Sequence, residues 1–207
     1  MRNRSNKASA LALSAICLVV ASACSASAGN NDEMDSYLCT HDDVGPDFIE
    51  LSRGEFTPDD LANLSDDASK AKDQYQAAGL KRGRFVFWKE VLPHPPFDPP
   101  LNLLCQVLEF DSASDAAAYA AGLGGAAPQW AGIAWLPDGD LKVESAGQDL
   151  RRITFQEAGQ DVTVLVQSGA SDRYFYSIYL GRDELPPTEA EIAPIARGVA
   201  AHAGAAR

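Results

Sequence analysis

Apolar positions recur every three or four residues between Thr57 and Gly79, which is the period of an amphipathic helix. Thr57 suits the N-cap of this helix, and Pro58 suits its first turn because its missing N–H would have no partner there. Gly79 favours a stop, since glycine adopts the left-handed backbone of a helix C-terminus without strain. The pattern therefore predicts one helix between these two ends.

Capping-box patterns predict two further helices. Ser112 is followed three residues later by Asp115, and an alanine-rich run comes next. Thr188 is followed at the same spacing by Glu191, ahead of an apolar stripe. Pro194 lies inside this last span, so we expect the helix to bend there or to begin later.

Runs with a two-residue period, or with apolar residues throughout, predict strands. The stretch 101–110 is apolar on both faces, which is typical of a central strand. Alternation and turn signals predict further strands at 84–91, 130–136, 151–157, 162–166 and 173–180. Together these elements predict an α+β fold, a mostly antiparallel sheet of about six strands with helices packed on one face.

The first 23 residues have the three parts of a secretory signal. Arg2, Arg4 and Lys7 form a basic start, residues 11–20 are apolar, and small residues follow. The apolar stretch is too short for a membrane span, which needs about 20 strongly apolar residues. We therefore expect residues 1–23 to be a signal peptide that is removed on export.

Residues 21–24, Ala-Ser-Ala-Cys, resemble the lipobox of bacterial lipoproteins, with Ala21 where leucine is usual. The resemblance implies cleavage before Cys24, a lipid on its sulfur, and a membrane anchor at the outer face of the cytoplasmic membrane. Residues 24–35 would then form a flexible tether and residues 36–207 a single domain. Ordinary secretion, with Cys24 removed or unmodified, is the alternative.

The composition narrows the class of protein further. Hydrophobic residues make up 46% of the chain and charged residues 22%, which is ordinary for a globular protein and excludes wholesale disorder. The formal net charge is −12 at pH 7. Proteins that bind nucleic acid use clustered Lys and Arg to neutralise phosphates, so the acidic balance argues against a nucleic-acid partner.

Cysteine arithmetic leaves one pair for the mature domain. Cys17 lies in the predicted signal and Cys24 at the lipobox, which leaves Cys39 and Cys105. A disulfide between them fits an exported domain, and closing so long a loop would stabilise the fold by about 4 kcal/mol in the chain-entropy model. A redox pair or a metal site is the alternative, although no Cys-x-x-Cys motif is present.

The sequence motifs of common catalytic and nucleotide-binding sites are absent, so we predict no catalytic residue, no cofactor and no metal site. The run 41–43, His-Asp-Asp, lacks further ligands at a suitable spacing and is predicted to be a turn of solvated acids. His94 and His202 have no visible partner for acid–base chemistry, and both are predicted to be exposed bystanders.

Two features suit binding. The proline-rich stretch 93–100 carries Phe97 and would be stiff and projecting, either as a contact surface or as a plain crossover between strands. Aromatic residues on predicted strands form the second set: Trp88, Trp130, Trp135, Tyr174 and Tyr176. Side chains of this kind either line an apolar ligand cleft or fill a core.

The chain as a whole resembles small envelope lipoproteins of bacteria that have a sensor-like extracytoplasmic domain. The lipobox-like start carries this resemblance, together with residues 110–117, where a strand end leads into an alanine-rich helix. It implies a non-enzymatic protein that binds a protein partner or a small ligand outside the membrane. The alternatives are a carrier or sensor of an apolar molecule in an aromatic-lined cleft, and a hydrolase-type enzyme without a visible motif.

Overall fold

Seven strands form one antiparallel sheet in the residues that the computed structural model describes, which are 33–65, 67–91, 99–123, 141–147, 149–157, 159–182 and 185–205. The strands are β1 Phe48–Phe56, β2 Leu80–Glu90, β3 Asn102–Phe110, β4 Lys142–Ser145, β5 Leu150–Glu157, β6 Gln160–Ser171 and β7 Tyr174–Gly181. They lie in the order β1-β2-β3-β7-β6-β5-β4. The predicted α+β class is confirmed, with seven strands in place of about six; β1 and β4 are not among the predicted strands.

Two meanders meet at the centre of this sheet. β1, β2 and β3 follow one another in space as they do in sequence, and so do β4, β5, β6 and β7. The two halves join where β3 pairs with β7, with Leu103 opposite Leu180 and Leu108 opposite Phe175. Every residue of β3 is buried, which confirms the central position predicted from its apolar pattern.

Helices cover both faces of the sheet. In the described ranges they are a 3-10 helix Glu33–Tyr37, α1 His41–Val44, α2 Pro58–Ala62, α3 Ala68–Ala77, α4 Ala113–Leu123 and α5 Glu189–Ala205. The 3-10 helix, α1 and α5 pack on what we call the first face, and α2, α3 and α4 pack on the second face. This differs from the predicted packing on one face, because β3 and β7 carry large apolar side chains on both sides. None of the described helices is both long and apolar enough to span a bilayer.

The first predicted helix is interrupted. α2 ends at Ala62 with Asn63 as its C-cap. α3 begins after Asp67, whose side chain accepts a hydrogen bond from the Lys70 N–H at 3.1 Å. Asn, Asp and Ser favour helix caps and turns over helix interiors, so two short helices replace the single predicted one.

Both of the predicted capping boxes are present. Ser112 Oγ donates to Asp115 Oδ2 at 2.6 Å and accepts from the Asp115 N–H at 3.2 Å. Thr188 donates to Glu191 Oε2 through its N–H at 2.6 Å and through its hydroxyl at 2.7 Å. The helix that follows, α5, continues through Pro194 to Ala205.

A disulfide ties the N-terminal segment to the middle of the sheet. Cys39 follows the 3-10 helix, Cys105 lies in β3, and their Cα atoms are 5.7 Å apart. Both side chains are buried in the apolar core of the first face. The bond therefore fixes the start of the domain against its central strand.

Candidate functional site

Three of the predicted aromatic residues lie on the first face of the sheet. Trp88 and Tyr174 are 3% and 1% exposed, and Tyr176 is half-buried. The ring of Tyr37, from the 3-10 helix, packs on both tyrosines, with its centre 4.9 Å from that of Tyr174 and 6.0 Å from that of Tyr176. These side chains fill a core between the sheet and its covering helices.

The other predicted site residues lie outside the described residues: Cys24, Phe97, Trp130 and Trp135, together with the predicted strand 130–136. Of the predicted aromatic set, the structure therefore brings together Tyr174 and Tyr176 through Tyr37. Trp88 belongs to the same apolar core.

The hydroxyl of Tyr174 joins the start of the described chain to a charged cluster. It donates to Glu33 Oε2 at 2.9 Å and accepts from Arg173 Nη2 at 3.1 Å. The Arg173 guanidinium also lies 3.3 Å from Glu109, whose side chain is buried. Burial raises the pKa of Tyr174, while the hydrogen bond from Arg173 lowers it. The phenol is therefore protonated at neutral pH and holds Glu33 at this end of the sheet.

A shallow polar groove of about 350 Å³ surrounds this cluster. Its lining comes from the 3-10 helix, the start of α4 and the β6–β7 turn: Glu33, Asp111, Ser112, Ala113, Asp172, Arg173 and Tyr174. Several of its polar groups serve contacts within the fold, since Lys81 lies 3.1 Å from Asp111 and Ser112 caps α4. Across the described ranges, no three His, Cys, Asp or Glu side chains converge as a metal site.

Three exposed apolar side chains lie near one another at the opposite end of the sheet. Ile49, Leu51 and Val91 are 45%, 46% and 45% exposed. Ile49 lies opposite Lys89, so Val91, two residues further along, is its diagonal neighbour. The Val91 N–H donates to Asp47 O at 2.8 Å, which holds this strand end in place. We call Ile49, Leu51 and Val91 the β1 patch.

The β1 patch lies on an edge strand of the described sheet. A bulge between Glu50 and Ser52 leaves Leu51 outside the regular pairing with β2. Beside it, Arg53 forms an ion pair of 3.0 Å with Glu50. Bulges and charges of this kind limit unselective pairing between edge strands. The exposed apolar side chains of the β1 patch therefore have charged side chains beside them.

The β1 patch and Glu33 lie at opposite ends of the sheet. Tyr174, which binds Glu33, begins β7, and Gly181 ends it about 23 Å away at the usual rise of a strand. From Gly181, the paired residues run across β3 and β2 to Ile49. Val91 is also the last described residue before the predicted proline-rich loop. The patch therefore lies beside the base of that loop.

His202 is part of the fold, so the prediction of an exposed bystander is wrong. In the last turn of α5, its Nδ1 lies 2.5 Å from Ser36 O and its Nε2 lies 3.0 Å from Asp43 Oδ2. Asp43 also accepts from the N–H and the hydroxyl of Thr40, both at 2.7 Å. The predicted solvated turn at 41–43 is instead α1, with the Asp43 side chain 7% exposed. The Thr-x-x-Asp spacing could have predicted this cap, but no local pattern contains the contact with His202.

Comparison with known proteins gives little beyond this description. No protein-family model matches the chain, and no curated protein matches it in sequence. A similar solved structure is the extracellular domain of PknH from Mycobacterium tuberculosis, with 10% sequence identity and a TM-score of 0.49. The alignment covers 84% of this chain and 96% of that one. A likeness at this level carries no argument about function.

Proposed function

We propose that this chain is an exported protein of the bacterial envelope, anchored through a lipid on Cys24, whose domain binds a protein partner through the β1 patch. The exposure of Ile49, Leu51 and Val91 beside the predicted loop carries this proposal. Grouped apolar side chains on a surface are typical of contacts between proteins.

Two observations support export. The N-terminal sequence has the basic, apolar and small-residue parts of a secretory signal. In the domain that follows, Cys39 and Cys105 form a disulfide. Disulfides persist in oxidising compartments outside the cytoplasm, so the domain fits a protein that folds after export.

The proposed anchor leaves the β1 patch accessible to a partner. Only residues 25–32 separate Cys24 from Glu33, and a segment of this length spans at most about 30 Å. This reach exceeds the distance of about 23 Å between the two ends of the sheet, so a lipid on Cys24 would not hold the β1 patch against the bilayer.

The edge position of β1 adds a second means of contact. Within the described sheet, the outer side of β1 has no neighbouring strand. A partner segment in an extended conformation could pair with its backbone while apolar side chains of the partner meet Ile49 and Val91. The chemistry of the patch thus favours a protein over a small polar ligand.

Crosslinking in the host cells tests this proposal, with a photoreactive amino acid in place of Val91. We expect a crosslinked product of defined mass, and we expect the additional change Ile49→Asp to abolish it, because a carboxylate would be buried in the contact. The matched control carries the photoreactive residue at Leu64, which is 47% exposed but follows α2. Equal crosslinking from both positions, or a product that survives Ile49→Asp, would contradict the proposal.

The mass of the purified native protein tests the carrier alternative. Trp88 and Tyr174 are buried in the core, and the groove that Tyr174 borders is polar, so the described residues of the predicted aromatic set do not form an apolar cleft. We expect the native mass to equal that of the oxidised, lipidated chain. Extra mass that disappears on denaturation would favour the carrier instead.

A further inference from the structure

The bridge between His202 and Asp43 has a chemistry that depends on protonation. A carbonyl oxygen only accepts hydrogen bonds, so the Nδ1 of His202, at 2.5 Å from Ser36 O, carries a proton. Nε2 then faces a second acceptor, Asp43 Oδ2, at 3.0 Å. Both contacts are hydrogen bonds at the same time when both ring nitrogens are protonated, in the imidazolium form.

The contact between His202 and Asp43 is largely enclosed by the fold. The side chain of Asp43 is 7% exposed and that of His202 is 31% exposed. His202 lies in the last turn of α5, and its two ring nitrogens face two different elements, the 3-10 helix and α1.

The other charged groups of the elements packed around α5 lie elsewhere. In the 3-10 helix, Glu33 is bonded to a tyrosine hydroxyl and Asp35 to an arginine. In α1, His41 and Asp42 are exposed, as is Arg197 on α5 itself. The strand beneath α5, β6, contributes an apolar side chain to this core. Among the described residues, the charged group that faces His202 is therefore the Asp43 carboxylate.

We propose that the His202 bridge makes the docking of the last turn of α5 depend on the pH of the medium. When the imidazolium is present, it holds this turn to α1 and to the 3-10 helix. When the pH rises and His202 loses a proton, the ring keeps a single N–H, so a lone pair faces either Ser36 O or the Asp43 carboxylate and one of the two hydrogen bonds is lost. The bridge is therefore complete at low pH and broken at one of its two contacts at high pH.

Release of this turn would uncover apolar surface. Ala203, within this turn, is 4% exposed, and Val199, one turn earlier, is 0% exposed; both belong to the core of the first face. The disulfide continues to hold Cys39, so the end of α5 moves and the N-terminal segment stays in place. A rise in pH would thus expose apolar side chains of the first face.

Hydrogen exchange of the purified mature chain, followed by mass spectrometry at pH 5.5 and pH 8.0 and corrected for intrinsic rates, tests the proposal. We expect protection of the last turn of α5 to fall about fivefold or more at the higher pH, as a charge-assisted hydrogen bond is lost. His202→Gln, whose amide N–H reaches for Asp43 without a charge, should remove this dependence on pH. His41→Gln is the matched control, since His41 is exposed on α1, and it should keep the dependence.

A titration of the histidine ring signals by NMR gives an independent readout on the wild-type protein. The midpoint for His202 should coincide with the midpoint of the change in protection. Equal protection at both pH values, two midpoints that differ, or a pH dependence that persists in His202→Gln would each overturn the proposal. If His202→Gln fails to fold, the two wild-type measurements still decide.

Discussion

Carboxylates that cap helices reach beyond their own helices in this domain. Glu191 accepts from Thr188 at the start of α5 and also pairs with Arg182, whose side chain is 9% exposed. Asp43 plays the same double role between α1 and His202. In both cases one carboxylate begins a helix and also bonds to a residue outside that helix, so the capping contact and the second contact stabilise each other.

The sequence predicts the capping contacts of these carboxylates, and it does not predict their contacts with residues outside the helix. A spacing of three residues identifies the cap formed by Thr188 and Glu191, because that contact lies within one helical turn. The partners of His202 lie 166 and 159 residues away in the chain. Its environment is therefore set by the packing of α5 against the N-terminal segment, which no local pattern contains.

Gly198 is expected to resist substitution. A Cβ at this position would overlap the carboxylate of Asp43, which lies against the helix. We expect Gly198→Ala to lower the free energy of unfolding by about 1–2 kcal/mol, although alanine has the better helix propensity. Gly204→Ala, in the same helix with no atom within 4 Å of the added Cβ, should leave stability unchanged or raise it. Urea unfolding measures both; equal effects would show that Asp43 does not pack against Gly198.

The cap of α2 should make stability depend on pH. Hydrogen bonds from the Thr57 hydroxyl and N–H lower the pKa of Asp60. A lowered pKa in the folded state means that ionised Asp60 stabilises the fold above its unfolded pKa, near 3.9, and that this contribution is lost as the pH falls through the folded value. Asp60→Asn should therefore cost about 0.5–1 kcal/mol at pH 7 and progressively less below pH 4.

Denaturant unfolding across this pH range measures the difference between Asp60→Asn and the wild type. Asp73→Asn is the control, since Asp73 is exposed within α3 and its change should have little effect at either pH. A destabilisation by Asp60→Asn that is the same at pH 7 and pH 3 would show that the ionised cap is not its cause.

Elements with a regular pattern were predicted, whereas those with an irregular pattern were missed or merged. β3 is apolar throughout and was predicted as a central strand. β1 was missed because its bulge at Leu51 changes which face the following residues occupy, so no two-residue period spans it. α2 and α3 were merged because Leu61 and Tyr75 both pack on the second face, so the apolar stripe continues across the break.

The disulfide should stabilise the contact between the N-terminal segment and the sheet. Cys39 and Cys105 are 66 residues apart in sequence, and closing such a loop in the unfolded chain is worth about 4 kcal/mol in the chain-entropy model. We expect the double variant Cys39→Ala, Cys105→Ala to lose about this amount in urea unfolding. Added reductant should destabilise the wild type and leave the variant unchanged. Equal stability of the oxidised and reduced wild type would contradict the prediction.

At the scale of the whole molecule, the helices that cover the sheet decide which of its aromatic side chains a ligand could reach. The two-residue period of β7 predicts that Tyr174 and Tyr176 share a face, and they do. Whether that face is open depends on the 3-10 helix and α5, which come from the two ends of the described chain. The strand pattern alone therefore could not show that Trp88 and Tyr174 belong to a core.

The proposed lipid anchor on Cys24 predicts that the chain can be labelled with a fatty acid. In host cells grown with an alkyne-bearing fatty acid, we expect the chain to incorporate the label and Cys24→Ser to abolish it, because the thiol is the predicted site of lipid attachment. Cys17→Ser is the matched control: it removes a cysteine from the predicted signal and should keep the label. A label that persists in Cys24→Ser would contradict the anchor, and an unlabelled wild type would favour ordinary secretion.

The junction of β3 with β7 determines when the sheet becomes complete during synthesis and export. Each meander pairs strands that are neighbours in sequence, so its pairings need shorter loop closures than the junction does. The junction joins Asn102 to Gly181 and Glu109 to Tyr174, so it waits for the last strand of the chain. During that interval the most apolar strand of the domain has an unpaired edge, which is a template for misassociation. The newly made chain is therefore most exposed to misassociation between the emergence of β3 and that of β7.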